Sequence, residues 1–248
     1  MKRKIPAQNK AVVLLSGGLD SAVVLYLAKN RGFDCRCLVF DYGQRHSREM
    51  KAARDIAGKA ACRLQIIKIG FPWKGSALLD KRIYVPEYSQ SLRTANTRPR
   101  ILANTRTREH TNNIPSTYVP GRNIIFLSFA LSCAEAIGAR SVFIGAHAQD
   151  YSGYPDCRPE FYRAFRKAAA AGTKAGVENR AIAIETPLIH KTKAQIINCG
   201  RTLGVPFGLT WSCYRGGKKP CGKCDSCCYR AKGFKEAGLI DPASQEGL

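Results

Sequence analysis

The chain has 248 residues, 45% of them hydrophobic, and a formal net charge of +22. This length suits one α/β domain with a small appendage, and no apolar run approaches the roughly 20 residues of a membrane-spanning helix. We identify no targeting segment, and eleven cysteines without a secretory signal favour free thiols and metal ligation over disulfides. We therefore predict a cytoplasmic protein with no membrane partner.

The strongly basic charge predicts attraction to polyanions, including nucleic acid. A proteome-wide basic bias, or adaptation to a salty or hot cytoplasm, explains the same charge. Nucleic acid is therefore an allowed partner but not a required one.

Strand-like and helix-like patterns alternate along the chain. Short apolar runs predict strands at residues 11–15, 35–40, 64–69, 141–144 and 181–185. Helical periodicity and end signals predict helices at residues 21–30, 46–59, 123–137, 159–171 and 193–203. This order predicts an α/β fold, a mainly parallel, doubly wound sheet with helices on both faces and ligands at the carboxyl ends of the strands.

A long connection at residues 71–120 breaks this rhythm and is rich in Arg, Thr, Asn and Pro. Such a composition favours a surface excursion or a mobile lid, with its most basic part at residues 93–108. We assign residues 1–209 to the α/β domain, with a basic insertion at about 88–117. Residues 210–248 form a C-terminal segment rich in Gly, Lys and Cys, which something other than a hydrophobic core must hold together.

Residues 14–21 (LLSGGLDS) follow the first predicted strand and open the first helix. Backbone N–H groups and the helix dipole make such a turn an anion site, and phosphate is its natural occupant. Paired glycines permit close approach and positive φ, while Ser16 and Ser21 add hydroxyl donors for a pyrophosphate. Asp20 would repel bare phosphate, so we assign it to binding Mg²⁺ or to capping the helix.

This loop lacks both the Lys-Ser or Lys-Thr of a Walker motif and the Gly-x-Gly-x-x-Gly of a dinucleotide fold. It resembles the PP-loop of the ATP pyrophosphatase superfamily, which implies an adenine nucleotide alpha hydrolase-like fold. The resemblance also implies that the loop binds the two outer phosphates of ATP, which leave together as pyrophosphate. The predicted ATP-binding residues are Leu15, Ser16, Gly17, Gly18, Leu19, Asp20, Ser21, Ala22, Val23, Val24 and Leu25.

Residues 41–46 (DYGQRH) follow the second predicted strand, at the same edge of the sheet as the loop. A nucleotide base and ribose would lie there, so we interpret this segment as an adenosine site. His46 is a candidate general base, although a histidine that begins a helix beside Arg45 is as often a structural or phosphate-side donor.

A cysteine knuckle, defined by Cys213, Cys221, Cys224 and Cys227, lies near the C-terminus. Four thiolates at this spacing can close a tetrahedron, and we predict one structural Zn²⁺ per chain that supplies the folding free energy of a missing core. An iron–sulfur cluster is the alternative, because Cys-x-x-Cys-x-x-Cys also occurs in cluster proteins. Cys228 is a spare thiol that does not easily join the site, although it could replace Cys227.

Three further segments sharpen the PP-loop match: residues 118–123 (YVPGRN), 150–158 (DYSGYPDCR) and 185–188 (ETPL). With DYGQRH and the knuckle, they resemble the 7-cyano-7-deazaguanine synthase family of queuosine and archaeosine biosynthesis. The resemblance implies a homodimeric, ATP-dependent C–N ligase that converts 7-carboxy-7-deazaguanine and ammonium to the nitrile through adenylated carboxylate and amide intermediates. The chain departs from the family in its basic excursion at residues 93–108 and in Cys228.

In this scheme the loop holds the pyrophosphate and its Mg²⁺, and Asp20 is a catalytic residue. Lys193, which starts a predicted helix, is a second catalytic candidate because it would neutralise phosphate charge. Arg122 is a third, since its planar guanidinium matches either a phosphate or a carboxylate.

The substrate base would be bound by Asp156 and Tyr154. A carboxylate can accept two N–H bonds from the guanine-like edge, although an Asx-type turn after Pro155 explains Asp156 equally well. Tyr154 or Phe161 would stack on the base, but an aromatic residue before a helix is as often part of the core.

Two other functions remain open. A PP-loop enzyme that adenylates and modifies a tRNA base would explain the charge and the basic excursion. A non-enzymatic zinc module that binds nucleic acid would make the phosphate loop incidental.

Overall fold

A computed structural model of the protein describes residues 9–43, 47–73, 75–80, 82–88, 114–147 and 153–245. Three features predicted from the sequence lie outside these residues: His46, the basic excursion at residues 93–108, and the start of the 150–158 segment. The described part includes the sheet, its helices and the cysteine knuckle.

In the described part of the chain, the sheet has five strands in the order β3-β2-β1-β4-β5, and every pairing is parallel. The strands are β1 (Lys10–Leu14), β2 (Asp34–Asp41), β3 (Arg63–Lys68), β4 (Ser141–Phe143) and β5 (Ala183–Glu185). Val12 of β1 lies opposite Arg36 of β2 and Val142 of β4. Because the strand order reverses at β1, a ligand crevice is expected between the carboxyl ends of β1 and β4.

Helices cover both faces of the sheet, and each predicted helix is present with ends within two residues of its predicted bounds. The described helices are α1 (Leu19–Asn30), α2 (Ser47–Lys59), α3 (Arg122–Ile137), α4 (Pro159–Gly172), α5 (Lys174–Val177), α6 (Lys193–Thr202), α7 (Asp225–Glu236) and α8 (Pro242–Gln245). None of them combines the length and the apolar character that crossing a membrane requires.

Strand side chains alternate between two hydrophobic clusters. Val13 of β1 belongs to the cluster that includes α1, α2 and α6, whereas Val12 belongs to the cluster that includes α3 and α4. Both valines are fully buried, because successive side chains of a strand point to opposite faces and a doubly wound sheet covers both. This two-sided burial accounts for the unbroken apolar run that predicted β1.

The C-terminal segment contains α7, a helix that the sequence analysis did not predict. α7 packs against α6 so closely that a Cβ on Gly233 would collide with the side chain of Lys193. Phe234 is buried in the same hydrophobic cluster as Val13. The expectation that this segment lacks a core is therefore wrong for α7, whose cysteines and glycine disrupt the apolar periodicity that marks a packed helix.

Candidate functional site

A cavity of about 930 Å³ lies at the carboxyl ends of the strands. The loop after β1 and the ends of β2 and β4 line it, together with the first turns of α2 and α3. The opposite wall consists of residues 84–86 and of residues from the C-terminal segment. A cavity at this edge of a doubly wound sheet is the expected ligand site, and its volume is near the upper end of the usual range for small-molecule pockets.

The loop after β1 is held in shape by two hydroxyl groups. Ser21 Oγ accepts the N–H of Ser16 at 3.2 Å and donates to the carbonyl oxygen of Gly18 at 3.0 Å. Ser16 Oγ lies 3.1 Å from Ser21 Oγ and accepts the N–H of Gly18 at 3.3 Å. Both serines line the cavity, so the hydroxyls predicted to meet a pyrophosphate also shape the loop that would hold it.

Gly17 is the position where this loop requires glycine. Its φ is +84°, and a Cβ there would collide with the carbonyl oxygen of Glu49 on α2. Gly18 has a φ of −78°, so only one of the paired glycines uses the positive φ that both were predicted to permit. The tight packing of Gly17 brings the first turn of α2 against the side of the loop.

Apart from Gly17, which packs against α2, the predicted ATP-binding residues fall into two groups. Those that line the cavity are Leu15, Ser16, Gly18, Leu19, Asp20 and Ser21. Those that are fully buried in the hydrophobic cluster beneath the loop are Ala22, Val23, Val24 and Leu25. The second group supports the loop through α1, because its side chains pack into the core.

Asp20, Lys193 and His147 form a charged cluster in the cavity. Lys193 Nζ lies 3.0 and 2.9 Å from the two carboxylate oxygens of Asp20, and 2.9 Å from His147 Nε2. Asp20 comes from the first turn of α1, Lys193 from the start of α6 and His147 from the segment after β4. Two of the three predicted catalytic residues are thus in direct contact.

Asp20 does not cap α1, which corrects one of its two predicted roles. The N-cap residue is Gly18, and it has no side-chain capping bond. Burial acts to raise the pKa of Asp20, but the charge of Lys193 and the hydrogen bond with His147 hold that pKa well below its usual range. Asp20 is therefore ionised at neutral pH, as a residue that orients Lys193 or binds a cation must be.

His147 is a site residue that the sequence analysis missed. It is buried, and its Nε2 lies 3.5 Å from Asp20 Oδ2. The available signal was its position just after β4, because polar side chains at the carboxyl ends of neighbouring parallel strands meet at one edge.

Arg122, the third predicted catalytic residue, lines a different part of the cavity. It is the first residue of α3, and its Nη1 donates to the hydroxyl of Tyr42 at 3.5 Å. Gly121 before it has a φ of +65°, which glycine adopts without strain. An anion at this point would be attracted by both the guanidinium and the N-terminus of the helix.

The predicted substrate-binding residues are placed differently from one another. Tyr154 lines the cavity, and its hydroxyl lies 2.6 Å from Thr117 Oγ1. Asp156 is only 4% exposed, and its Oδ2 accepts the N–H of Asn123 at 3.0 Å. Burial raises the pKa of Asp156. Asn123 lines the cavity, so the Asp156 carboxylate lies behind a cavity residue. Phe161 packs on the hydrophobic cluster that includes Val12 and α3.

The four cysteines of the knuckle converge as predicted. Their Sγ atoms all lie within 4.8 Å of one another, and those of Cys221 and Cys227 are 4.0 Å apart. A tetrahedral Zn²⁺ with Zn–S bonds of about 2.3 Å places sulfur atoms about 3.8 Å apart, so the donor set fits such an ion. The Sγ of Cys228 instead points to the carbonyl oxygen of Gly222 at 3.5 Å.

Backbone N–H groups also point at the knuckle sulfurs. Cys213 Sγ accepts the N–H groups of Arg215 and Cys221, each at 3.4 Å. Cys221 Sγ accepts those of Lys223 and Cys224 at 3.5 and 3.4 Å. Such bonds favour the thiolate form that a metal requires.

The knuckle also holds the segment that forms the far wall of the cavity. Arg215 Nη2 donates to the hydroxyl of Tyr84 at 2.6 Å and to the carbonyl oxygen of Val85 at 3.2 Å. The N–H of Tyr88 donates to the carbonyl oxygen of Lys223 at 2.9 Å. Val85 is buried against the cysteines. Residues 82–88 and the knuckle therefore form one packed unit, which we call the knuckle wall.

The parallel sheet and its SGGLDS loop define a PP-loop protein. Residues 10–238 match the family described as "Queuosine biosynthesis protein QueC". The 7-cyano-7-deazaguanine synthases of Nostoc punctiforme and Trichodesmium erythraeum are each 49% identical to the chain, over 94% of its length and over 98% and 99% of theirs. The chain belongs to the QueC family.

A more distant likeness is found among solved structures. The NMN synthetase of Francisella tularensis aligns over 97% of this chain and 82% of its own, with 16% sequence identity and a TM-score of 0.46. At this distance the likeness says nothing about substrate.

Proposed function

We propose that the protein is a 7-cyano-7-deazaguanine synthase, an ATP-dependent C–N ligase that converts 7-carboxy-7-deazaguanine and ammonium to the nitrile. The observation that carries this proposal is the cavity of a QueC-family chain, in which the phosphate loop and the Asp20–Lys193–His147 cluster share one space with Arg122. Its two ends suit the two reactants, a nucleotide at the loop and a flat base near Tyr154.

The first half of the reaction makes the carboxylate a better electrophile. A carboxylate oxygen attacks the α-phosphorus of ATP, the bond to the bridging oxygen breaks, and pyrophosphate leaves. Ammonia then attacks the carboxyl carbon, AMP leaves, and an amide forms. The protein mainly aligns the reactants and balances the charge of the pyrophosphate.

The second half repeats the activation on the amide oxygen with a second ATP. Loss of the remaining N–H protons and of AMP then leaves the nitrile. Each condensation removes one oxygen from the carboxyl carbon, so two ATP yield two AMP and two pyrophosphates.

We assign the phosphates to the loop residues that line the cavity. Lys193 Nζ would neutralise charge at the α-phosphate, and Asp20 with His147 would fix its direction. Arg122 would bind the substrate carboxylate at the start of α3. Mg²⁺ would accompany ATP and supply further positive charge to the phosphates, with Asp20 as its protein ligand.

We assign the base to the part of the cavity near Tyr154, whose ring would stack on it. Direct pairing of Asp156 with the guanine-like edge stays a prediction. The position of Asp156 behind Asn123 favours an indirect contribution, in which the carboxylate fixes the start of α3 and thereby both Asn123 and Arg122.

We further propose Zn²⁺ as the metal of the knuckle, because four thiolates suit it. Residues 1–209 would form the ATP-binding domain, with its basic insertion, and residues 210–248 a zinc-binding segment docked on it. The resemblance supports a homodimer, and the cysteine composition supports a cytoplasmic location.

Mass spectrometry of the purified protein with 7-carboxy-7-deazaguanine, ammonium, Mg²⁺ and ATP tests the proposal. We expect the nitrile, with two AMP for each nitrile. AMP that forms only after tRNA is added, with the free base untouched, would instead identify an RNA-modifying PP-loop enzyme. No nucleotide consumption under either condition would contradict both.

A further inference from the structure

Glu49 is a carboxylate of the cavity to which the proposed function assigns no role. It lies in the first turn of α2 and lines the cavity. Its main chain packs against Gly17 of the phosphate loop. The side chain therefore lines the same cavity as the loop that would hold the phosphates and as Arg122, which would bind the substrate carboxylate.

The three carboxylates that line the cavity in the described part of the chain differ in their surroundings. Asp20 is held by Lys193 and His147, and Asp225 begins α7 in the knuckle wall. Glu49 has no hydrogen bond or ion pair with any described residue that would keep its charge. It is the carboxylate best placed to change its protonation state.

The charges around Glu49 come from three elements. Burial raises its pKa to about 7, opposed by the positive charge of Arg122 on α3 and reinforced by the negative charge of a Cys213 thiolate. The Glu49 charge in turn helps to raise the pKa of Tyr42, after β2. A carboxyl group of this kind can both accept and release a proton near neutral pH.

We propose, on the basis of the proposed function, that Glu49 is the catalytic base that takes a proton from ammonium as nitrogen attacks the activated carboxyl carbon. The reaction requires such a group, because ammonium has no lone pair and is the main form of ammonia at neutral pH. A carboxylate at this place attracts the cation and then removes its proton.

Amide formation removes two protons from the ammonium nitrogen. The Glu49 carboxylate gains one proton from ammonium, the lone pair of ammonia forms the C–N bond, and the C–O bond to AMP breaks as AMP leaves. The nitrogen loses a second proton to solvent to give the neutral amide. In the second half, the nitrogen of the adenylated amide loses one proton to solvent and the other to the Glu49 carboxylate, while the C–O bond breaks, AMP leaves and the nitrile forms.

The experiment separates carboxylate activation from the attack of nitrogen. Exchange of labelled pyrophosphate into ATP, with 7-carboxy-7-deazaguanine present and ammonium absent, reports activation alone. Amide and nitrile formation report the later steps. The variant is Glu49→Gln, which keeps the shape of the side chain, and the matched control is Glu160→Gln, in the exposed first turn of α4 and outside the residues that line the cavity.

For Glu49→Gln we expect pyrophosphate exchange within about threefold of wild type and product formation lower by about 10²-fold, the usual effect of a general base. The deficit in amide formation should shrink as the pH rises toward the pKa of ammonium, because free ammonia then needs no base. Glu49→Asp should recover part of the rate, and Glu160→Gln should resemble wild type in both assays.

The fold of the variant is checked by its thermal stability against pH. A raised pKa means that the native state loses stability as the pH rises from the ordinary value of Glu, 4.5, to about 7. Glu49→Gln lacks this loss, so its Tm relative to wild type should increase over that range. A Tm difference that does not change with pH would show that the pKa of Glu49 is not raised in the folded protein.

Two results would overturn the proposal. Equal losses of exchange and of product in Glu49→Gln would mean that Glu49 serves ATP or its Mg²⁺ and not the nitrogen. A loss of amide formation that persists at high pH and high ammonia would exclude proton removal from ammonium as its task. In either case an active wild type leaves the proposed function standing, whereas a wild type without exchange or product refutes that function and this assignment together.

Discussion

The phosphate-loop side of the cavity and the knuckle wall opposite it are assembled from the sequence in different ways. The hydroxyl bond between Ser16 and Ser21 joins residues five positions apart. The bond between Arg215 and Tyr84 joins residues 131 positions apart. The loop is therefore a local structure that its sequence motif predicts, whereas the knuckle wall forms only when two distant segments of the chain pack together.

The two sides of the cavity should respond differently to substitution. Substitutions in the loop should damage the chemistry while the fold persists, because α1 and its core remain intact. Substitutions in the knuckle wall should damage folding or substrate binding first, since that wall depends on the proposed metal and on a few hydrogen bonds.

The largest effect on activity is expected for Asp20→Ala. Lys193 loses its carboxylate partner, so we expect kcat for AMP formation to fall by about 10²–10³-fold, as for the loss of a preorganised charged group. Steady-state AMP release measures it, and Ser16→Ala should lower the same rate, because the loop loses a hydroxyl that shapes it. The control is Asp55→Asn, which breaks an exposed pair with Lys51 on α2. Wild-type turnover by Asp20→Ala would refute the assignment of the loop.

Cys224→Ser should have the largest effect on folding. Loss of one of four thiolates removes the metal, and we expect a loss of about 3 kcal/mol or more, on the order of 10 °C in Tm. Metal analysis and thermal unfolding measure both effects. Cys228→Ser should keep the metal and the Tm, because its sulfur points away from the other four. Metal loss from Cys228→Ser would mean that a different set of thiols is used.

These expectations reflect what the sequence does and does not reveal. The strands, the main helices, the loop and the four thiols follow from local patterns, and all were predicted. His147 was not, because its position after β4 indicates the edge of the sheet but not the contact with Asp20 and Lys193. α7 was missed because its apolar periodicity is weak. Its cysteines belong to the knuckle segment, and Gly233 is required by the close contact with Lys193.

Arg215→Gln tests the knuckle wall without touching a metal ligand. The variant loses the bonds to Tyr84 and Val85, so residues 82–88 should pack less firmly against the cavity. With each bond worth about 1 kcal/mol, we expect KM for 7-carboxy-7-deazaguanine to rise about fivefold to thirtyfold, with a smaller change in kcat. Metal content should be unchanged, and Lys219→Gln on the exposed surface of the knuckle is the matched control. A fall in kcat alone would mean that this wall does not position the base.

The smallest effect is expected for Asp156→Asn. An amide oxygen can still accept the N–H of Asn123, and burial already raises the pKa of the aspartate, so the start of α3 should keep its position. If Asp156 acts only through Asn123, KM for the base should rise less than about fivefold, the cost of replacing a charged acceptor by a neutral one. If the carboxylate instead pairs with the guanine-like edge, the amide presents a donor toward a donor, and KM should rise by 100-fold or more. Initial rates at varied base concentration distinguish the two, because Tm should be nearly unchanged in both cases.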